Sequence, residues 1–298
     1  MNSCLLLLMF LPSPGREVKV FVGRRPTPLG FPVPVCYPPG TFFQGDAGMQ
    51  RDEFDPGRIR AVLFDLDGTL LQVEMENFIP AYIAKVGRHF APQVAAEPFQ
   101  RVFRAAIRAL LTAEAGDCSN QDRLLGILEH NLQLPADRVA AGLEAFYQDG
   151  LADLADLIRP LPLARNILAR CFERDLQVAI ATNPVFPRPV VDARLRWGGI
   201  ADFPFELVTA LENCRFCKPR RGFFEDLLQT LDLAPEACLM VGNDTEHDLA
   251  ARQAGIPTFL VDTWLVDRRD GEFITDFRGG HLDLFRFLGK LGASRPMN

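Results

Sequence analysis

From residue 163 onward the chain alternates helix and strand four times, and that rhythm limits its architecture more than any other feature. Helical spacing over 163–174 leads to the apolar run QVAIAT (177–182). A helix near 188–197 leads to ELVTA (206–210), one over 220–232 to ACLMVG (237–242), and one over 246–254 to TFLVD (258–262). Short apolar runs separated by amphipathic helices read as right-handed βαβ units, hence a parallel sheet with helices on both faces. An earlier run, IRAVLF (Ile59–Phe64), reads as a first strand of the same sheet.

Between that strand and the alternating part lies a helical stretch, roughly 75–158. Its apolar residues recur at helical spacing, as in Phe99, Val102, Phe103, Ile107 and Leu110. Pro92, Pro98, Gly116-Asp117 and Pro135 divide it into about four helices. The expected organisation is therefore an α/β core of residues 51–74 and 159–298, with a helical insertion at 75–158. Residues 11–50 hold eight Pro and six Gly, a composition that suits neither a helix nor a central strand. Residues 1–50 read as a disordered Pro/Gly-rich tail, and Met49 as the natural start.

Composition excludes several classes. With 48% hydrophobic and 23% charged residues the chain is neither disordered nor fibrous. Its net charge is −6 and no basic run is present, which argues against nucleic acid as a partner. No apolar run reaches the ~18–20 residues that span a bilayer. CLLLLMFL (4–11) lacks the basic start and small-residue cleavage site of a secretion signal. Seven scattered Cys form no disulfide framework, and Cys214 and Cys217, a lone C-x-x-C, read as ordinary thiols. A cytoplasmic protein is expected. Only four of the 32 basic residues are Lys, namely Lys19, Lys85, Lys218 and Lys290.

In open α/β sheets ligands bind beyond the carboxyl ends of the strands. Here those ends carry Asp65-Leu66-Asp67-Gly68-Thr69, then Thr182-Asn183, then Gly242-Asn243-Asp244 with Asp248 four residues on. Lys218 opens a helix nearby. Asp65 and Asp67 point the same way in extended chain, and Gly68 permits a sharp turn. Asp244 and Asp248 share a face if a helix begins there. Four carboxylates in one cleft repel and raise each other's pKa. A hard divalent cation with oxygen ligands, Mg²⁺, relieves the conflict, with Lys218 and Thr182 holding an anion beside it.

This set resembles the haloacid dehalogenase superfamily of hydrolases. Four motifs match in order over about residues 59–265: DLDGT at 65–69, Thr182 after a strand, Lys218 before a helix, and GNDTEHD at 242–248. KPRRGFF also resembles the family's lysine segment, with Phe224 six residues after Lys218, although Arg221 stands where a second Pro is common. The resemblance implies a Rossmann-like core with a helical type 1 cap and a phosphomonoester substrate that is a small phosphorylated metabolite. Asp65 would be the nucleophile and form an aspartyl-phosphate, with Asp67 as acid and base. Thr182 and Lys218 would hold the phosphoryl group, as would Gly68, Thr69 and Asn183. Mg²⁺ would be bound by Asp65, the backbone carbonyl of Asp67 and Asp244, supported by Asp248 and Asn243. Cap contacts to substrate would come from Glu74, Asn77, Tyr82, Arg88 or His89, while His247 reads as a surface histidine.

Other functions use parts of the same set. A phosphotransferase or sugar-phosphate mutase would keep Asp65 and Asp67 and pass the phosphoryl group to a second substrate. A carbon–halogen hydrolase needs neither Asp67 nor Asp244. A phosphonate hydrolase needs a Schiff-base Lys in the cap, and Lys85 does not match. A non-catalytic binding protein on this fold would be expected to have lost a motif residue, and none is missing.

Overall fold

The structure is a computed structural model that describes residues 54–292 and the backbone of Lys19–Val20. The expected tail, Met49, Cys4 and Cys36 lie outside the described residues apart from that pair. Lys19–Val20 (β1) runs antiparallel to Val266–Asp267, a two-residue ribbon separate from the main sheet.

Six strands form the main sheet: Ala61–Phe64 (β2), Gln177–Ile180 (β5), Leu207–Val208 (β6), Cys238–Gly242 (β7), Thr258–Val261 (β8) and Phe277–Gly279 (β10). Their order is β10-β8-β7-β2-β5-β6, and every neighbouring pair is parallel. The α/β class and the parallel sheet are as the alternation predicts. β2 lies at the centre between β7 and β5, so the residues that follow it emerge in the middle of the sheet's carboxyl edge. β10 and the last helix, His281–Leu288 (α8), extend the sheet beyond the predicted elements.

Alternation along the strands fills two cores. Val62, Phe64, Val178, Ile180, Leu239 and Val241 join one apolar cluster, together with residues of Ala164–Glu173 (α5), Arg188–Trp197 (α6) and α8. Ala61, Leu63, Ala179, Cys238 and Met240 face the other way, onto Phe223, Phe224, Leu227 and Leu231 of Arg221–Leu231 (α7). This is the period-2 pattern of a sheet covered on both sides. Full burial of each Val, Leu, Ile, Phe or Met side chain among them contributes roughly 1.5–3 kcal/mol, which favours this register.

The helical insertion leaves the core after Leu71–Val73 (β3) and returns through Ile158–Pro160 (β4), which pair antiparallel as one short ribbon. Between them lie Met75–Arg88 (α1), Ala96–Thr112 (α2), Asn120–Leu132 (α3) and Ala136–Ala145 (α4). A π turn at Phe146–Gly150 and a 3₁₀ segment at Leu151–Leu157 complete the block. Pro98 falls in the first turn of α2, where its missing N–H is harmless, and Pro135 is the N-cap of α4. The block touches the core again at α3. There Asn120 N–H donates to the Cys214 carbonyl at 2.8 Å and Gln121 N–H to that of Leu211 at 3.0 Å. The Asn120 side chain donates to the Pro184 carbonyl at 3.3 Å.

One predicted element differs. No helix begins at 246; residues 245–248 form a turn, and a 3₁₀ segment starts only at Leu249. The Asp248 carboxylate folds back to accept the Asp244 N–H at 2.9 Å. Such side-chain bonds offer the backbone an alternative to the helix. A Cβ at Gly242 would meet that carboxylate at 2.1 Å, so the turn requires glycine there. Among the described residues no helix is long and apolar enough to cross a membrane.

Candidate active site

Asp65 follows β2 and is held by its N–H, which donates to the Val241 carbonyl at 2.8 Å. The next residues turn tightly: Leu70 and Leu71 N–H both bond the Leu66 carbonyl at 2.9 Å. Gly68 takes φ +80°, and a Cβ on it would meet the Asn243 side chain at 2.3 Å. Glycine is thus needed both for the left-handed backbone and for the close approach of the two loops.

Lys218 is the centre of the site. It is 2% exposed, and its Nζ lies 2.7 Å from Asp65 Oδ1 and 2.6 Å from Asp248 Oδ1. Its N–H donates to Asn183 Oδ1 at 3.0 Å, which ties the loop after β5 to the loop before α7. Thr182, the residue before Asn183, is buried, its carbonyl accepting from the Thr209 hydroxyl at 2.7 Å. Burial pushes the Asp65 carboxyl up and the Lys218 cation pulls it down. With Asp248 and Asp67 adding repulsion, it settles at about 7. Burial likewise raises Asp248 against the pull of Lys218. Burial alone would push Lys218 down, but its two carboxylate partners outweigh that and hold it charged, above the ordinary lysine range.

Two arginines not singled out by their sequence context complete the arrangement. Arg194 of α6 is fully buried and pairs through Nη2 with Asp67 Oδ1. Arg268, after Val266–Asp267 (β9), is buried with Nε 2.6 Å from Asp244 Oδ2. Asp244 Oδ1 accepts the N–H groups of Glu246 and His247, both at 2.9 Å. Burial pushes Asp244 up, yet His247, Arg268 and these two N–H groups together hold it at about 2. His247 is not a surface histidine: it is half-buried with Nδ1 3.5 Å from Asp244 Oδ2, and burial lowers it to about 4.

The charge conflict inferred from four carboxylates is therefore met in part by protein cations: Asp67 on Arg194, Asp244 on Arg268, and Asp65 and Asp248 sharing Lys218. This changes the case for a metal. Among the described residues no three His, Cys, Asp or Glu come together as a metal cluster. Asp65 keeps Oδ2 after Oδ1 meets Lys218, and with the Asp67 carbonyl it offers the hard oxygen donors that Mg²⁺ takes. Asp244 fits less well, since both its oxygens are engaged by Arg268, His247 and the turn.

The remaining candidates separate clearly. Asn243 spans toward Gly68 and donates to the Trp264 carbonyl at 2.6 Å. Thr69 is buried; its carbonyl lies 2.9 Å from His281 Nε2 and its hydroxyl makes no hydrogen bond. Of the five residues expected to reach from the helical block, Tyr82 packs edge-on against Phe186 of the core with ring centroids 5.1 Å apart. Asn77 and Glu74 are exposed and bond each other, Arg88 is exposed, and His89 packs on Phe146 inside the block. Cys214 and Cys217 are buried free thiols.

A six-stranded parallel sheet, with an aspartate pair after its central strand and a buried lysine bridging two carboxylates, defines an α/β protein with its candidate site at the strand ends. Residues 59–255 match the haloacid dehalogenase-like hydrolases, and the chain belongs to that family. A ribulose-1,5-bisphosphate 5-phosphatase of Halopiger xanaduensis is 28% identical over 210 residues, covering 68% of this chain and 84% of that one. A glyceraldehyde 3-phosphate phosphatase of Methanothermobacter thermautotrophicus is 27% identical over 216 residues, 70% of this chain and 88% of its own. The crystal structure of a HAD phosphatase from Thermococcus onnurineus overlaps 78% of this chain and 99% of its own at 18% identity, with a TM-score of 0.49.

Proposed function

We propose that the protein is a Mg²⁺-dependent phosphomonoester hydrolase acting on a small phosphorylated metabolite through an aspartyl-phosphate. The observation that carries this reading is the Asp65–Lys218–Asp248 bridge beside Asp67, in a chain of this hydrolase family. Relatives named as phosphatases of ribulose bisphosphate and glyceraldehyde 3-phosphate support the substrate class. An Asp65 oxygen attacks phosphorus and the bond to the leaving alcohol breaks, with Asp67 giving its proton to the departing oxygen. Asp67 then takes a proton from water as the water oxygen attacks the same phosphorus, the Asp65–phosphorus bond breaks, and inorganic phosphate leaves.

Lys218 and Thr182 hold the phosphoryl oxygens, and Asn183 fixes Lys218 from behind through its backbone. Gly68 and Thr69 form the turn that sets Asp67 beside the phosphoryl group. Asp248 orients Lys218, and Asn243 steadies the turn from the opposite loop. Asp65 and the Asp67 carbonyl would hold Mg²⁺, with Asp244 joining when Arg268 gives way. When bound, the ion offsets charge on the phosphoryl oxygens. Residues 75–158 serve as a cap over a core of residues 51–74 and 159–298, excluding water from the site.

Phosphate release from an aryl phosphate tests the reading. Wild type with Mg²⁺ releases inorganic phosphate; Asp65→Asn and EDTA each abolish it. Full activity in EDTA refutes the metal. With a sugar phosphate as substrate instead, an isomerised sugar phosphate in place of inorganic phosphate would identify a mutase.

A further inference from the structure

Arg194 carries more unsatisfied hydrogen-bonding capacity than its contact with Asp67 explains. It is 0% exposed, yet Nε and Nη1 are buried without a hydrogen-bond partner. Only Nη2 is used, on Asp67 Oδ1. Its guanidinium carbon lies 5.4 Å from the ring centre of Phe78 and 5.0 Å from that of Phe186. The rings favour a cation but do not accept its in-plane N–H groups. A guanidinium presents five donors in a planar fork, and leaving them unpaired away from water is unfavourable. Holding Asp67 needs one of those donors and no burial, since Asp67 is itself 17% exposed at its side chain.

The position says what the others are for. In the proposed reaction Asp67 gives its proton to the oxygen that leaves, which puts Arg194, its partner, on the leaving-alcohol side. Phe78 covers it from α1, the first helix beyond the β3–β4 ribbon, whereas Phe186 and Arg194 belong to the core. The fork would be reached by separation of α1 from Phe186, whose ring lies 5.6 Å from that of Phe78. Planar bidentate donors select carboxylate or phosphate.

We propose that Arg194 is a specificity-determining residue that binds a second anionic group, a carboxylate or a phosphate, carried on the alcohol part of the substrate. The inference rests on the phosphomonoester reading of the site.

Three phosphonates of equal carbon length test it by calorimetry on the full chain: propylphosphonate, 3-phosphonopropionate and 1,3-propanediphosphonate. They are titrated into wild type, Arg194→Met and Arg194→Lys. Wild type is expected to bind at least one doubly anionic analogue about tenfold or more tighter than propylphosphonate. Which of the two gains identifies the second group as carboxylate or phosphate. Arg194→Met removes the preference and Arg194→Lys keeps a fraction of it. Equal binding by wild type, or no binding of any of the three, overturns the proposal whether or not the Met variant folds. So does an Arg194→Met that weakens all three alike, the result expected if Arg194 only positions Asp67. These affinities need no turnover, so failure of the hydrolase reading, seen as no phosphate release from any ester by wild type, is read separately.

Discussion

Replacing Asp65, the proposed nucleophile, should make the protein inactive and more stable, and the gain should depend on pH. Asp65 has its carboxyl raised from 3.8 to about 7, first by burial and against the pull of Lys218. Between those two values the folded chain keeps a proton that the unfolded chain has lost. The stability Asp65 contributes is fully present below pH 3.8 and is lost as pH rises through about 7. Each tenfold difference in proton affinity between the folded and unfolded chain is worth about 1.36 kcal/mol, so the loss reaches about 4 kcal/mol by about pH 8. Asparagine fills the same space and never ionises, while Lys218 keeps Asp248 as a partner 2.6 Å away. Asp65→Asn is therefore expected to match wild type near pH 4 and to exceed it by up to about 4 kcal/mol at about pH 8. Urea unfolding followed by circular dichroism at several pH values in EDTA measures this, with the denaturant slope required to agree between the two proteins. A difference that stays flat with pH, or an Asn variant that is less stable at pH 8, refutes the electrostatic account of the site.

Other perturbations probe the rest of the arrangement. Arg268→Met leaves the buried Asp244 without its guanidinium and should destabilise the protein by about 3 kcal/mol at pH 7, as removing one partner of a buried pair does. Because Asp244 is held at about 2, that penalty should shrink as pH falls below 4; thermal melts at pH 7 and pH 3 compare them. Asn120→Ala removes the side-chain bonds that dock α3 on the Pro184 carbonyl and the Cys217 sulfur. It should cost about 1–2 kcal/mol, and amide exchange at residues 120–123 should accelerate more than in the sheet. Burial pushes the thiols of Cys214 and Cys217 up to about 12. Both should resist a disulfide reagent in the native protein and react only on unfolding.

What was legible in the sequence was what is encoded locally. Strands and helices of the core announce themselves by period, and the boundaries of α6 fall where the pattern puts them, at 188 and 197. The site residues sit at the ends of those elements, so their order along the chain already places them on one edge of the sheet. The partners of the carboxylates were not local. Arg194 meets Asp67 across 127 positions and Arg268 meets Asp244 across 24. A signal for Arg194 existed: it lies four residues after Val190 and three after Val191, on the buried face of α6, while Arg188 and Arg196 are exposed. A charged residue on an apolar stripe has to be paired, and the nearest strand-end carboxylates were the place to look. Arg268 lies in an irregular segment with no period to betray its burial.

The missed cations change the chemistry as well as the count. Four carboxylates alone demand a metal to coexist; with Lys218, Arg194 and Arg268 present, Asp67 and Asp244 each have a cation, and only Asp65 and Asp248 share one. Metal affinity at the proposed site would then be set by competition, because an ion reaching Asp244 must displace a guanidinium 2.6 Å from Oδ2. Asp65, by contrast, shares its cation with Asp248 and meets it through Oδ1, leaving Oδ2 clear of the lysine. Its raised proton affinity, like that of Asp248, marks a carboxylate whose ionisation the shared lysine supports incompletely. A cation or a phosphoryl centre arriving beside Asp65 would relieve that shortfall.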